Sequence, residues 1–223
     1  MSTTLFRRLV AEFLGTAGLL AVIIGAGIMA DNLSGGNDGV ALIGTTAAIG
    51  AGLVVLIWLF APVSGCHINP AVTLAFLLHK EISGRDAALY VVVQAAGGLA
   101  GMLVTHLMFD LPLLQTATQV RTGPGQWVSE VVATFGLILT IFGCIKVRPR
   151  AVAAAVGIYI FAACWFTAST SFANPAVTLA RSFTDTFCGI RPMDAPMFVL
   201  MEIVGALIAT RFVGWLYKDS PGA

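Results

Sequence analysis

Asn69-Pro70-Ala71-Val72-Thr73-Leu74-Ala75 recurs letter for letter as Asn174-Pro175-Ala176-Val177-Thr178-Leu179-Ala180. The copies begin 105 residues apart in a chain of 223. Each lies in the same part of its own half, which marks an internal duplication within one domain: a first repeat of about 1–112 and a second of about 113–223. Asparagine is a strong helix N-cap, and proline suits the first helical position because its missing N–H would have had no intrahelical partner there. Asn-Pro therefore starts a helix. The apolar continuation is short in both copies: Val72 to Leu78, ended by His79-Lys80-Glu81, and Val177 to Ala180, ended by Arg181. A span needs about 20 apolar residues, so both segments read as re-entrant half-helices.

The surroundings supply the full spans. Hydrophobic residues make up 58% of the chain and charged residues 10%, against about a quarter charged in soluble domains. Apolar runs at 9–30, 40–62, 87–109, 127–146, 151–170 and 195–217 predict six transmembrane helices, three per half. The turn-rich stretches Ser34-Gly35-Gly36-Asn37-Asp38-Gly39 and Arg121-Thr122-Gly123-Pro124-Gly125 separate them. The first run comes after Arg7 and Arg8 but exceeds the apolar part of a signal peptide, which is about 7 to 15 residues. It reads as a retained helix.

An odd number of spans per repeat forces the second copy to cross in the opposite sense, giving repeats inverted about an axis in the membrane plane. Arg7, Arg8, Lys80, Arg85, Lys146, Arg148, Arg150, Arg211 and Lys218 fall on one side; Arg121, Arg181 and Arg191 fall on the other. Lys and Arg accumulate on the cytoplasmic side. Both termini are expected there, in a protein of the cell's inner membrane. The fold class is an all-α membrane protein of six transmembrane helices and two half-helices.

At mid-membrane the two Asn-Pro starts present a specific chemistry. Each Asn oxygen caps its own half-helix, which leaves its amide NH2 as a fixed donor. Two opposed half-helices also bring together two positive dipole ends, each worth roughly half an elementary charge. Neutral solutes that accept hydrogen bonds are favoured, and cations are repelled. Passive conduction of small uncharged molecules is the expected function.

Glu12 and Glu130 occupy matching places in the two halves, within AEFLGT and SEVVATFG. An ionisable side chain is costly against lipid, so both are expected to face inward and accept hydrogen bonds from the backbone of the re-entrant loops. Thr73 and Thr178 are expected to bond to their own or a neighbouring helix. Gly97 and Gly101, with Gly15 and Gly18, allow close helix approach.

Other chemistries find little support. Cys66, Cys144, Cys164 and Cys188 match no metal spacing and read as small packing residues. The net charge of +1 suggests no nucleic-acid partner. No nucleophile with a base and no phosphate-binding glycine pattern suggests an enzyme or a cofactor. A secondary transporter with inverted repeats and broken helices is the main alternative, and Glu12 and Glu130 are its only obvious coupling residues.

AEFLGT at 11–16, SGCHINPAV at 64–72 and the second Asn-Pro-Ala resemble motifs of the aquaporin, or major intrinsic protein, family, and the resemblance covers essentially the whole chain. It implies six tilted helices around a pore, half-helices meeting at its centre, and a homotetramer in the bilayer with one pore per subunit. In most members the second motif continues with an arginine of the outer selectivity filter; here that position is Val177. The family pattern puts the other filter positions at Ile49, Ala162 and Ser171.

That set implies a wide constriction with small or aliphatic walls, no fixed cation and few donors. Glycerol-like polyols, urea, water and neutral metalloid hydroxides such as arsenous acid are the expected permeants. Trp165-Phe166-Thr167-Ala168-Ser169-Thr170-Ser171-Phe172 and the arginine-free motif are similar to a bacterial AqpS-type subgroup associated with arsenical resistance. With the arginine absent, the paired dipoles and Asn donors are expected to carry proton exclusion. His67 is expected either to line the inner approach or to pack its loop.

Overall fold

Both Asn-Pro pairs start helices. Asn69 and Asn174 are extended, with φ of −161° and −158°, and each turns its side-chain oxygen onto the first free N–H groups of the helix it opens. Asn69 Oδ1 accepts from Ala71 N at 2.8 Å; Asn174 Oδ1 accepts from Ala176 N at 3.0 Å and Val177 N at 3.4 Å. The structure, a computed structural model describing residues 3–218, is built around these caps.

Helices α1 (Leu5–Leu33), α2 (Asp38–Ser64), the short α3 (Pro70–Leu78) and α4 (Gly84–Met108) form the first half. In the second half α5 (Pro124–Val147), α6 (Val152–Phe166), the short α7 (Pro175–Arg181) and α8 (Ala195–Leu216) repeat the same order of long, long, short and long. A turn of 3₁₀ helix at Pro149–Ala151 leads into α6. Among the described residues six helical stretches are long and apolar enough to cross a membrane, and none of the secondary structure is strand. The expected cytoplasmic chain ends lie outside the described residues.

All six predicted spans match helices to within four residues at either end. The run 151–170 predicts helix to residue 170, but α6 stops at Phe166. Thr167 to Ala173 descend as irregular chain, with Thr170, Ser171 and Ala173 in left-handed conformations. The apolar composition of the run does not report this break, because a loop buried in protein at membrane depth need not be polar.

The long helices pack closely where side chains are missing. A Cβ on Gly97 or Gly101 would collide with the backbone carbonyls of Phe13 and Ala17, so α1 and α4 cross at backbone contact. Gly50 and Gly157 do the same for α2 and α6. Small residues at crossings are how membrane helices associate when no hydrophobic force separates them from lipid. Outward, Trp58, Leu59, Val92, Leu107 and Ile158 are exposed. Such an apolar belt suits hydrocarbon rather than water.

Candidate functional site

The half-helices meet through their loops. Asn69 Nδ2 donates to the Ala173 carbonyl at 2.7 Å, and Asn174 Nδ2 donates to the Ile68 carbonyl at 2.9 Å. Sequence reasoning left both amide groups free. One N–H of each instead ties the opposite loop, and among the described residues the second has no protein partner.

The residues just before each Asn adopt matching strained conformations. Cys66 and Ile68 have φ of 51° and 41°; Ser171 and Ala173, at the same two offsets from Asn174, have 52° and 48°. Such conformations cost non-glycine residues about 1–3 kcal/mol each and persist only where the surroundings enforce them. Here two carboxylates enforce them. Glu12 Oε1 accepts from His67 N at 2.9 Å and Oε2 from Ile68 N at 2.6 Å. Glu130 repeats this with Phe172 N at 2.9 Å and Ala173 N at 2.8 Å. Both acids are fully buried behind their loops, as expected.

With the N–H groups held from behind, the carbonyls are left on the other side. Among the described residues those of Gly65, Cys66 and His67, and of Thr170, Ser171 and Phe172, accept no protein hydrogen bond. All six residues line one cavity of about 440 Å³. Asn69 and Asn174 line it as well, and its remaining wall is largely aliphatic, including Leu19, Ile23, Leu53, Val156 and Ile160. The lining thus combines residues with unbonded backbone carbonyls, the two asparagines and aliphatic side chains.

Of the expected filter positions, Ile49, Ser171 and Val177 line this cavity; Ala162 does not. Ala162 is exposed on the outer face of α6, while Ile160 and Cys164, one turn apart, face the cavity. At about 100° per residue, position 162 points roughly opposite to both. Counting back from Asn174 passes through the irregular Thr167–Ala173 stretch, where that helical phase is lost. Ser171 Oγ has no protein partner.

His67 is placed both on the cavity wall and in contacts that pack its loop. It lines the cavity, stacks on Phe76 with ring centroids 4.3 Å apart, and bonds Thr73 Oγ1 through Nδ1 at 3.2 Å. Thr73 donates back to the Asn69 carbonyl, so Nδ1 is assigned as donor and Nε2 remains an acceptor. Thr178 donates to Glu202 Oε1 at 2.6 Å.

Glu202 escaped the sequence reading. It is fully buried on α8, where Gln94 stands on α4 in the first half. Gln94 bridges Glu12 and Thr73 at 2.8 and 3.0 Å, and Glu202 Oε2 has no partner. An acid within an apolar span was the available signal, the same one that marked Glu12 and Glu130.

Arg181 lies one turn beyond Val177, outside the expected filter set. It is nonetheless a buried wall residue of the same cavity, so a fixed cation lines the cavity although residue 177 is valine. Its Nε donates to the Cys188 carbonyl, and its guanidinium carbon lies 3.4 Å from the centre of the Phe172 ring.

These features have counterparts in known proteins. The model of the family described as major intrinsic protein matches residues 1–164. Aquaglyceroporin AqpS of Rhizobium meliloti (strain 1021) is 56% identical over 216 residues, covering 97% of this chain and 92% of that protein. Aquaporin AqpM of Methanothermobacter marburgensis is 32% identical over 247 residues, covering 97% and 99%. The X-ray structure of the aquaglyceroporin from Plasmodium falciparum aligns with a TM-score of 0.73 at 20% identity, covering 97% of each chain, which establishes a shared fold. The chain is an integral multi-pass membrane protein and belongs to the major intrinsic protein family of channels.

Proposed function

We propose that this channel conducts small uncharged solutes passively: glycerol-like polyols, urea and water, and neutral trivalent metalloid hydroxides such as arsenous acid. The observation that carries the reading is the division of the cavity wall. A polyol presents hydroxyls along one edge and carbon along the other, and a lining that contains both unbonded carbonyls and aliphatic side chains can meet both. The name of the 56% identical relative, an aquaglyceroporin, supports the same solute class.

Residue 177 sets the width. With valine at 177, and Ile49 and Ser171 on the wall of the same cavity, that position carries no bulky cation to exclude solutes larger than water. Arsenous acid is a compact neutral trihydroxide and makes the same demands as a polyol. A homotetramer in the inner membrane, with both termini cytoplasmic and residues 1–112 and 113–223 as the two repeats of one channel domain, completes the reading.

The coupling residues a secondary transporter would use are Glu12 and Glu130. Glu12 and Glu130 stand behind the loops, each holding two loop N–H groups. The test is stopped-flow light scattering on proteoliposomes with glycerol and urea gradients, together with arsenite uptake. Linear, non-saturating flux of low activation energy is expected; saturation with dependence on an ion gradient would contradict it.

A further inference from the structure

The second motif lacks the expected cation, yet two buried guanidinium groups stand beside it. Arg181 comes four residues after Val177, so both lie on one face of α7, and both line the cavity. Arg121, from the loop before α5, approaches the same Phe172 ring, with its guanidinium carbon 5.2 Å from the ring centre. Its Nε donates to the Gly189 carbonyl at 2.8 Å, next to the Cys188 carbonyl that Arg181 holds.

Neither charge is neutralised by an ion pair. Among the described residues the ion pairs are Arg8 with Asp86 and Arg191 with Asp194. Asp194 also accepts from the backbone N–H of Arg121, and Asp185 is taken up by Thr118. Glu130 faces its own loop. Carbonyl oxygens and a ring face satisfy donors and polarise toward a cation, but they carry no compensating unit charge.

We propose that Arg181, seconded by Arg121, is the specificity-determining cation of this pore and excludes protons and other cations in place of the residue absent at 177. Set one helical turn along α7 and laid against Phe172, Arg181 supplies the repulsive field while leaving the wall at Val177 open to larger neutral solutes. Charge exclusion and size exclusion, which one arginine would combine, are divided between two positions. The inference rests on the cavity being the conducting path, and glycerol flux measured on the same vesicles separates failure of that reading from failure of this one.

The competing role is a loop clamp, since Arg181 Nε holds Cys188. The experiment compares wild type, Arg181→Leu and Arg181→Lys in proteoliposomes. Proton-equivalent flux is driven by a clamped potential and divided by the wild-type value at each pH. At pH 7 Arg181→Leu is expected to raise the flux about tenfold and Arg181→Lys to leave it near wild type. Because a buried lysine loses its proton at lower pH than a free one, the ratio for Arg181→Lys should climb between about pH 7 and 9, whereas a clamp would give no such climb. Wild-type flux in Arg181→Leu overturns the proposal, as does an equal, pH-independent leak in both variants. If Arg181→Leu does not assemble, the lysine profile decides: a rising ratio supports the assignment and a flat one overturns it. Loss of glycerol flux in the wild type would instead remove the conducting path itself.

Discussion

Asn174 and Ile68 are joined across the molecule: the asparagine Nδ2 donates to the isoleucine carbonyl oxygen at 2.9 Å, and Asn69 returns the bond to Ala173 at 2.7 Å. The two half-helices are therefore locked together by the same side chains that cap them. Asn174→Ala removes a cap, at a cost of about 1 kcal/mol, and leaves the Ile68 carbonyl without its partner, about 1–3 kcal/mol more. Solute flux should fall at least tenfold, with a lower unfolding temperature in detergent; unchanged flux would mean that the Asn amide does not shape the path.

Glu130 holds two loop N–H groups that nothing else satisfies. Glu130→Ala strands both at membrane depth, at about 1–3 kcal/mol each, and should yield little assembled protein. Glu202 is the contrasting case. A glutamine there is neutral like Gln94, whose Nε2 donates to both Glu12 and Thr73, and its amide oxygen would keep the acceptor that Thr178 uses. Glu202→Gln should be as stable as wild type or more so by thermal unfolding, and Glu202→Ala less stable.

Gly101 sits where any Cβ would strike the Ala17 backbone carbonyl of α1. Backbone cannot yield as a side chain can, so Gly101→Leu should exceed the usual overpacking cost of about 1–3 kcal/mol and prevent assembly. Gly125, with open space around it, should accept alanine with no measurable change in yield.

Cys164 shares the cavity wall with Ser171 and Val177, whereas Cys144 does not line it. A thiol-reactive mercurial should block glycerol flux in wild type and lose most of that effect in Cys164→Ala, with Cys66, also on the wall, accounting for any remainder. Equal block in a variant lacking both cysteines would show that the reagent acts elsewhere.

Outside the spans, burial alone would raise the Asp194 carboxyl, but hydrogen bonds from Arg191 and from the Arg121 backbone N–H hold it below its ordinary value. Its ionised form therefore favours the folded loop. That contribution is complete above the unfolded pKa, near 3.9, and is lost as pH falls through the lower folded value. Limited proteolysis of the loop between Phe109 and Gly123 should accelerate below about pH 4 in wild type, and Asp194→Asn should remove that acid-dependent step.

The sequence disclosed most of this architecture because its signals are local. Asn-Pro caps, apolar runs and acids stranded among apolar residues each carry their physical reason within a few positions, and so the half-helices, six spans, Glu12 and Glu130 were legible. What it concealed depends on phase and three-dimensional return. Cys164 and Ile160 displace Ala162 from the wall because the loop after Phe166 breaks the helical count. Arg181 reaches the mouth because Phe172, two residues before Asn174, folds back beneath its guanidinium. No local pattern encodes that stacking. Glu202 was visible as an isolated acid in an apolar run but belonged to no repeated motif.

On the function proposed above, valine at 177 leaves the pore wide enough for polyols. The direct measurement is glycerol, urea and water permeability of Val177→Arg beside wild type in the same proteoliposomes. Glycerol and urea flux should drop at least tenfold while water flux falls no more than about threefold, narrowing the channel toward water. Unchanged glycerol and urea flux would contradict the account.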